Sequence, residues 1–308
     1  MYKVPIAIII FNRPQIVRQM YEILQKIQPQ KLYIISDAAR QMVSGEAEKV
    51  AKSRKIFEQP DWECQVYKNY ADKNMGCDPR IKSGLDWVFS LEEKAIVLED
   101  DCIPDLSFFR YCEELLDKYQ TDEKVAYIAG SNQIRQYPIQ GKNYIFTYGA
   151  WTLGWASWAR AWEEQTNLLD DFENSKKKIM RLKKLSYSER YHMIKTLKVY
   201  REKGYFPWDM NFTWNMLMEE KLSIVPKTNL VDHIGFTEEA THVKEPFAGY
   251  DGTQIPLEFP LVHPGQVEEE QGYHKAAYNW NRETILQKLC SIEFYKRQIK
   301  KIWKNSRL

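Results

Sequence analysis

Val4 to Phe11, V-P-I-A-I-I-I-F, is an almost unbroken apolar run rich in β-branched residues, and it stops at Asn12-Arg13-Pro14. A run of that kind reads as a buried strand, and a proline just after it suits the first turn of a helix. Ile16, Met20, Ile23, Leu24 and Ile27 then recur at helical spacing, and Leu32 to Ser36 reads as a second short strand ending on Asp37. The alternation continues through a charged helical stretch from Gly45 to Glu58, a strand around Cys64 to Tyr67, a helix from about Pro79 to Leu91 and a strand at Ala95 to Leu98. Such βαβ order calls for an α/β fold with a mostly parallel sheet flanked by helices. In such sheets ligands lie beyond the carboxyl ends of the strands, which here carry Asn12 and Arg13, Asp37, and Glu99 to Asp101.

After about Ala150 the texture changes. Trp151, Trp155, Trp158 and Trp162 crowd together, and a lysine-rich stretch runs from Lys176 to Lys184. No flexible Gly/Ser or Pro linker separates the halves, so the second reads as a subdomain packed on the first sheet. With 44% hydrophobic and 14% aromatic residues in 308, there is ample material for a core. Forty-four basic against forty-two acidic residues leave a net charge of +2, which gives no global field for nucleic acid. Five scattered cysteines, Cys64, Cys77, Cys102, Cys112 and Cys290, form no C-x-x-C pair and suit a reducing compartment. No basic n-region precedes an apolar stretch, and no run nears the roughly 18–20 apolar residues that would span a bilayer, so a cytoplasmic or peripheral location is expected.

The strongest chemical signal is Val97-Leu98-Glu99-Asp100-Asp101-Cys102-Ile103-Pro104. Three consecutive carboxylates after an apolar strand raise one another's pKa, and a hard cation resolves that conflict. Mg2+ or Mn2+ takes oxygen ligands and a substrate's phosphates together. A solvated acidic loop is the plainer alternative.

The string I-V-L-E-D-D resembles the strand and DXD-type motif of GT-A glycosyltransferases, and its E-D-D form is similar to that of the N-acetylglucosaminyltransferase I group. I-I-I-F-N-R-P resembles that superfamily's first strand and phosphate-side loop. Tyr33 to Arg40 resembles its second strand with a base-contacting Asp, and Lys73 to Trp87 its donor-side helix. The likeness covers most of the first 240 residues and extends to bacterial sugar transferases of surface-polysaccharide pathways.

What the resemblance implies is a GT-A catalytic domain over 1–245, divided at about residue 130 into a nucleotide-sugar half and an acceptor half, with a C-terminal extension over 246–308. Asp101 would be the direct metal ligand, Asp100 would face the ribose or the sugar, and Glu99 would support both. Asp37 would accept from a uracil N–H, while Arg13 and Arg80 would steady the base or the diphosphate. Equally, Asp37 is a common turn former and Arg80 an ordinary exposed helix residue. Gly154-Trp155-Ala156-Ser157-Trp158 resembles the segment after the acceptor loop, although indoles three or four residues apart on a helix are what core packing produces.

An inverting transferase needs a carboxylate to take the acceptor hydroxyl's proton. Phe206-Pro207-Trp208-Asp209 resembles the W-D element that carries this base, so Asp209 is the candidate; where the family element continues with a second Asp, this chain has Met210. Helix N-capping is the structural alternative for Asp209. Asn229 to Phe236 with Thr241-His242 resembles the end of the catalytic domain, and a histidine there can complete a metal shell, His242 being preferred to His233.

The C-terminus interleaves Phe294, Tyr295, Ile299, Ile302 and Trp303 with Lys and Arg, a pattern that suits a solvated helix end or peripheral contact with anionic lipid and a lipid-linked saccharide acceptor. The expected function is therefore metal-dependent transfer of a sugar, from a UDP-sugar, to a saccharide or glycolipid hydroxyl. Two alternatives stand beside it. A nucleotidyltransferase would show a glycine-rich phosphate loop, and Phe11-Asn12-Arg13-Pro14 has no glycine. A non-catalytic carbohydrate-binding protein would use the same acidic and aromatic clusters for recognition alone.

Overall fold

The computed structural model describes residues 1–132, 134, 137–235 and 252–280. His242, Cys290 and the basic C-terminal stretch from Phe294 to Arg307 lie outside the described residues. Strands β1 (Ile6–Ile10), β2 (Lys31–Ser36), β3 (Gln65–Tyr70) and β4 (Lys94–Glu99) alternate with helices α1 (Pro14–Ile27), α2 (Glu46–Lys55) and α3 (Cys77–Phe89). The chain continues through β5 (Cys102–Pro104), α4 (Leu106–Lys118), β6 (Val125–Ala129), β7 (Tyr144–Thr147) and β8 (Trp155–Trp158). Then follow α5 (Ala159–Glu163), α6 (Phe172–Arg181), α7 (Tyr187–Lys203), α8 (Trp208–Met218), β9 (Leu222–Pro226) and β10 (Val231–His233).

Eight strands form one sheet in the order β3-β2-β1-β4-β8-β6-β9-β7. β1 pairs in parallel with both β2 and β4, whereas β8 is antiparallel to β4 and β6, and β7 is antiparallel to β9. The expected mostly parallel sheet flanked by helices is what the chain forms. Its pleat sorts the core into two layers. Ile6, Ile8 and Ile10 pack with α1 and α4 residues such as Val17, Met20, Phe108 and Leu115. Ala7 and Val97 face the other way, among Leu85 of α3, Trp162 of α5 and Phe212 of α8. The close approach of α3 depends on Gly84, where a Cβ would lie 2.5 Å from a methyl of Ile35.

The tryptophan-rich segment is a strand and not the helix its spacing predicts. β8 lies in the interior of the sheet with both faces covered: Ala156 and Trp158 belong to one core layer and Trp155 to the other. The expectation that these indoles are structural does hold for Trp155, Trp158 and Trp162, all buried. Residues 252–280 run back along the sheet. Asn143 and Val262 exchange hydrogen bonds (Asn143 N–H to Val262 O, 2.9 Å; Val262 N–H to Asn143 Oδ1, 2.6 Å), and the Glu270 N–H donates to the Phe146 carbonyl at 2.8 Å. Among the described residues no helix is long and apolar enough to cross a membrane.

Candidate active site

Strand order reverses between β1 and β4, because β2 and β3 lie to one side of β1 and β4 to the other. The crevice beyond the carboxyl ends of two such strands is where doubly wound sheets bind ligands. Register does the local work. Ile9 lies opposite Glu99, and the Asp100 N–H donates to the Ile9 carbonyl at 2.9 Å, so the residues after β1 and after β4 meet. Arg13 Nη2 bonds Asp100 Oδ1 and, at 2.9 Å, Asp101 Oδ2, while the Phe11 N–H donates to Asp100 Oδ2 at 3.3 Å.

A second, two-stranded sheet brings up the other wall. β10 pairs antiparallel to β5, which puts His233 opposite Cys102 and its Nε2 3.4 Å from Asp101 Oδ2. The Ile234 N–H donates to the Asp101 carbonyl at 2.9 Å. Gly235 follows with no room to spare, since a Cβ there would lie 2.5 Å from Asp101 Oδ2 and 3.0 Å from the His233 ring. His233, ranked below His242 in the sequence, is thus the histidine that reaches the acidic cluster among the described residues.

The three carboxylates titrate differently for identifiable reasons. Burial pushes Asp100 up to about 6, against the pull of Arg13. Asp101 feels the same upward push from burial, but His233 and Arg13 outweigh it and hold the group down to about 2. Glu99 is raised well above the ordinary carboxylate range by burial and by the charges of Asp101, Asp100 and Asp209. That last contribution brings Asp209 within electrostatic reach of Glu99, although the two are far apart in sequence.

Asp37 is buried at the end of β2, and both its oxygens are engaged. They accept from the N–H groups of Ala38 (2.8 Å), Met75 (2.9 Å) and Gly76 (2.9 Å) and from Asn74 Nδ2 (3.1 Å), which fixes the loop leading into α3. The carboxylate thereby organises the pocket wall, a role beside the acceptance of a base N–H that the resemblance implies. Arg80 is buried and not an exposed helix residue. It bonds the Asn69 carbonyl (2.6 Å) and side chain (2.7 Å), and its buried Nε has no hydrogen-bond partner among the described residues. Sequence reasoning passed over Glu46, also buried, which accepts from Asn12 Nδ2 at 2.8 Å and from the Arg40 N–H at 2.7 Å. An acid at the start of α2 carries no signal for such a tie, which joins the loops after β1 and β2.

Arg13, Asp37, Arg40, Arg80, Asp100 and Asp101 line a cavity of about 380 Å3, within the size range of small-molecule sites. A second cavity of about 590 Å3 adjoins it, and the two share Glu99, Leu153 and His233. Asp209 lines the second, in the first turn of α8. The N-cap of that helix is Pro207, so the capping role considered for Asp209 is not the one it has. Asp78 of α3 accepts from the Trp208 N–H at 3.0 Å, and Trp208 stacks on Trp155 with centroids 5.9 Å apart. The buried indoles therefore set the direction in which Asp209 emerges. Trp151, Glu189, Trp214 and His274 complete the wall that sequence reasoning did not assemble; they come from four separate segments.

Asp101 and His233 suit a divalent cation by donor chemistry, carboxylate oxygen beside imidazole nitrogen. Among the described residues no three His, Cys, Asp or Glu side chains are grouped to hold an ion by themselves. The chain would then supply two ligands, leaving the remainder to water and substrate oxygens, as is usual where a metal binds together with phosphates.

No family model matches the chain, and no curated protein matches it in sequence. Among solved structures it is similar to a mannosyltransferase from Pyrobaculum calidifontis in complex with GDP-Man and Mn2+ (11% identity, TM-score 0.38), over 52% of this chain and 45% of that one. It is similar also to a UDP-glucose pyrophosphorylase complexed with UDP-glucose (11%, TM-score 0.30, 53% and 81% of the two chains). A third is HddC from Yersinia pseudotuberculosis (11%, TM-score 0.31, 53% and 79%). Likenesses at this level carry nothing about the activity of this chain, for which the site itself is the guide.

Proposed function

We propose that this chain is a metal-dependent glycosyltransferase that moves a sugar from a nucleoside-diphosphate sugar, with UDP as the first carrier to test, to a hydroxyl of an uncharged saccharide. The observation that carries the reading is the contrast between the two adjoining cavities. Arg13, Arg40 and Arg80 line the first beside its carboxylates, whereas the second is lined by Glu99, Glu189 and Asp209 and, among the described residues, by no lysine or arginine. Guanidinium groups match phosphate oxygens, so the first cavity suits the diphosphate. A nucleotidyltransferase would need a second anion site for its sugar phosphate, and carboxylates with no lysine or arginine beside them among the described residues do not provide one. Indoles offer an apolar face to sugar C–H groups, and Trp151 and Trp214 stand in the second wall.

In this reading Arg13 and Arg80 hold the diphosphate in the first cavity. Asp101 and His233 would hold a divalent cation, which would supply neutralisation of charge on the departing diphosphate. Asp209 accepts the proton of the acceptor hydroxyl as its oxygen bonds the anomeric carbon, the bond from that carbon to the diphosphate breaks, and the nucleoside diphosphate leaves with inversion. Purified protein supplied with UDP-, GDP- or dTDP-sugars and Mn2+ should release nucleoside diphosphate, faster when neutral saccharides are added. Formation of nucleoside triphosphate on adding pyrophosphate would overturn the assignment in favour of nucleotidyl transfer.

Gly235→Ala tests the wall. A Cβ 2.5 Å from Asp101 Oδ2 turns that carboxylate out of its place between Arg13 and His233. Calorimetry should show Mn2+-dependent nucleotide binding weakened by at least about tenfold, as for loss of a group supporting a metal ligand. Thermal unfolding should shift by only a few degrees, because the atoms that a Cβ would meet belong to the side chains of Asp101 and His233.

A further inference from the structure

Asp101 Oδ2 is claimed twice: the Arg13 guanidinium bonds it at 2.9 Å, and His233 Nε2 stands 3.4 Å away on the other side. Arg13 also bonds Asp100, so a single guanidinium neutralises half of the charge of the acidic pair. Its backbone cannot follow a displaced side chain, because the Val17 N–H donates to the Arg13 carbonyl at 3.0 Å in the first turn of α1. Its side chain is mostly buried but borders the first cavity beside Arg40 and Arg80.

We propose that Arg13 is a tethered counter-ion that holds the place of the divalent cation and makes cation and nucleotide bind together. The inference rests on the donor site proposed above. Two positive groups cannot both sit on Asp101 Oδ2 without strong repulsion. Arg13 must release Asp101 before a cation is held there, and the release is favourable only where another anion receives the guanidinium. A nucleoside diphosphate in the first cavity provides that anion. Nucleotide therefore raises the cation's affinity, and by reciprocity the cation raises that of the nucleotide. Without nucleotide the acidic pair stays closed by the chain's own cation, and stray divalent ions are kept out.

Electron paramagnetic resonance of free Mn2+, with the Mn2+ taken up by nucleotide alone subtracted, measures this without turnover. Wild-type protein should bind Mn2+ alone weakly and on the order of tenfold or more tightly with UDP or GDP, the usual range of coupling between two sites. Arg13→Met, close in length but uncharged, should bind Mn2+ alone about tenfold more tightly than wild type and gain less from nucleotide than wild type does, the remaining gain coming from phosphate oxygens that join the cation's shell. Arg13→Lys keeps the charge and should retain weak binding of Mn2+ alone. Equal Mn2+ affinity in wild type with and without nucleotide, or no gain in a folded Arg13→Met protein, would overturn the counter-ion role and leave the donor site standing. Failure of Mn2+, UDP and GDP to bind wild type in any combination would bring down both.

Discussion

Asp209→Asn is expected to lower turnover by about 10²–10⁴-fold, the usual contribution of a positioned general base, while nucleotide and Mn2+ binding stay as in wild type. The split follows from where Asp209 stands. It lines the second cavity and not the first, so its loss leaves the arginines and Asp101 untouched. A purely structural role predicts something different. In the first turn of α8 a carboxylate gains about 0.3–1 kcal/mol from the helix dipole, a loss visible in unfolding but too small to account for the fall in rate. Steady-state kinetics beside thermal unfolding separates the two. A variant that keeps turnover near wild type would mean that the hydroxyl proton goes elsewhere.

Asp101→Asn should act on the other cavity. The amide keeps the shape but removes the charge to which both Arg13 and His233 are drawn. Metal-dependent nucleotide binding should fall by more than the 10–100-fold that loss of an outer partner costs. Calorimetry with and without Mn2+ reads this directly, and turnover should fall with it. The variant should also lose the part of the acid response that Asp101 supplies. In wild type the Asp101 carboxylate is held down to about 2, so its ion pairs stabilise the fold above the ordinary Asp range and fade only as pH falls towards that value. Asp100, pushed up to about 6, works in the opposite sense and costs stability above that pH. Unfolding followed from pH 7 to 3 should therefore differ between wild type and variant most at the upper end.

The first half of the fold was open to reading because each buried strand there feeds an amphipathic helix, and the two periods differ. Pro14 marks the start of α1, and Glu99 falls on the last residue of β4. The misreading at Trp155–Trp158 has a physical cause: a strand covered on both faces has no period of two to betray it. At the site, local strings picked out Arg13, Asp100 and Asp101, which the register of β1 on β4 joins. The approach of His233 to the acidic pair depends instead on the pairing of β5 with β10, a contact more than 120 residues apart along the chain that no local pattern encodes. Asp37 was placed correctly at its strand end, but its engagement depends on the backbone of residues 75 and 76 turning towards it. The second cavity gathers side chains from β4, α7, α8 and the returning segment, and assembles only with the fold.

The return of residues 252–280 along β7 has a colloidal consequence. β7 is an outermost strand, Tyr144 to Thr147 are all buried, and Phe146 bridges to Glu269 on the side away from β9. A bare strand edge with that composition is a template onto which a second copy can zip. The opposite border, β3, carries Lys68 at an exposed position, one of the ways in which such borders are kept from pairing. A catalytic fragment ended near residue 245 would leave one border guarded and the other open, and should aggregate more readily than the full chain.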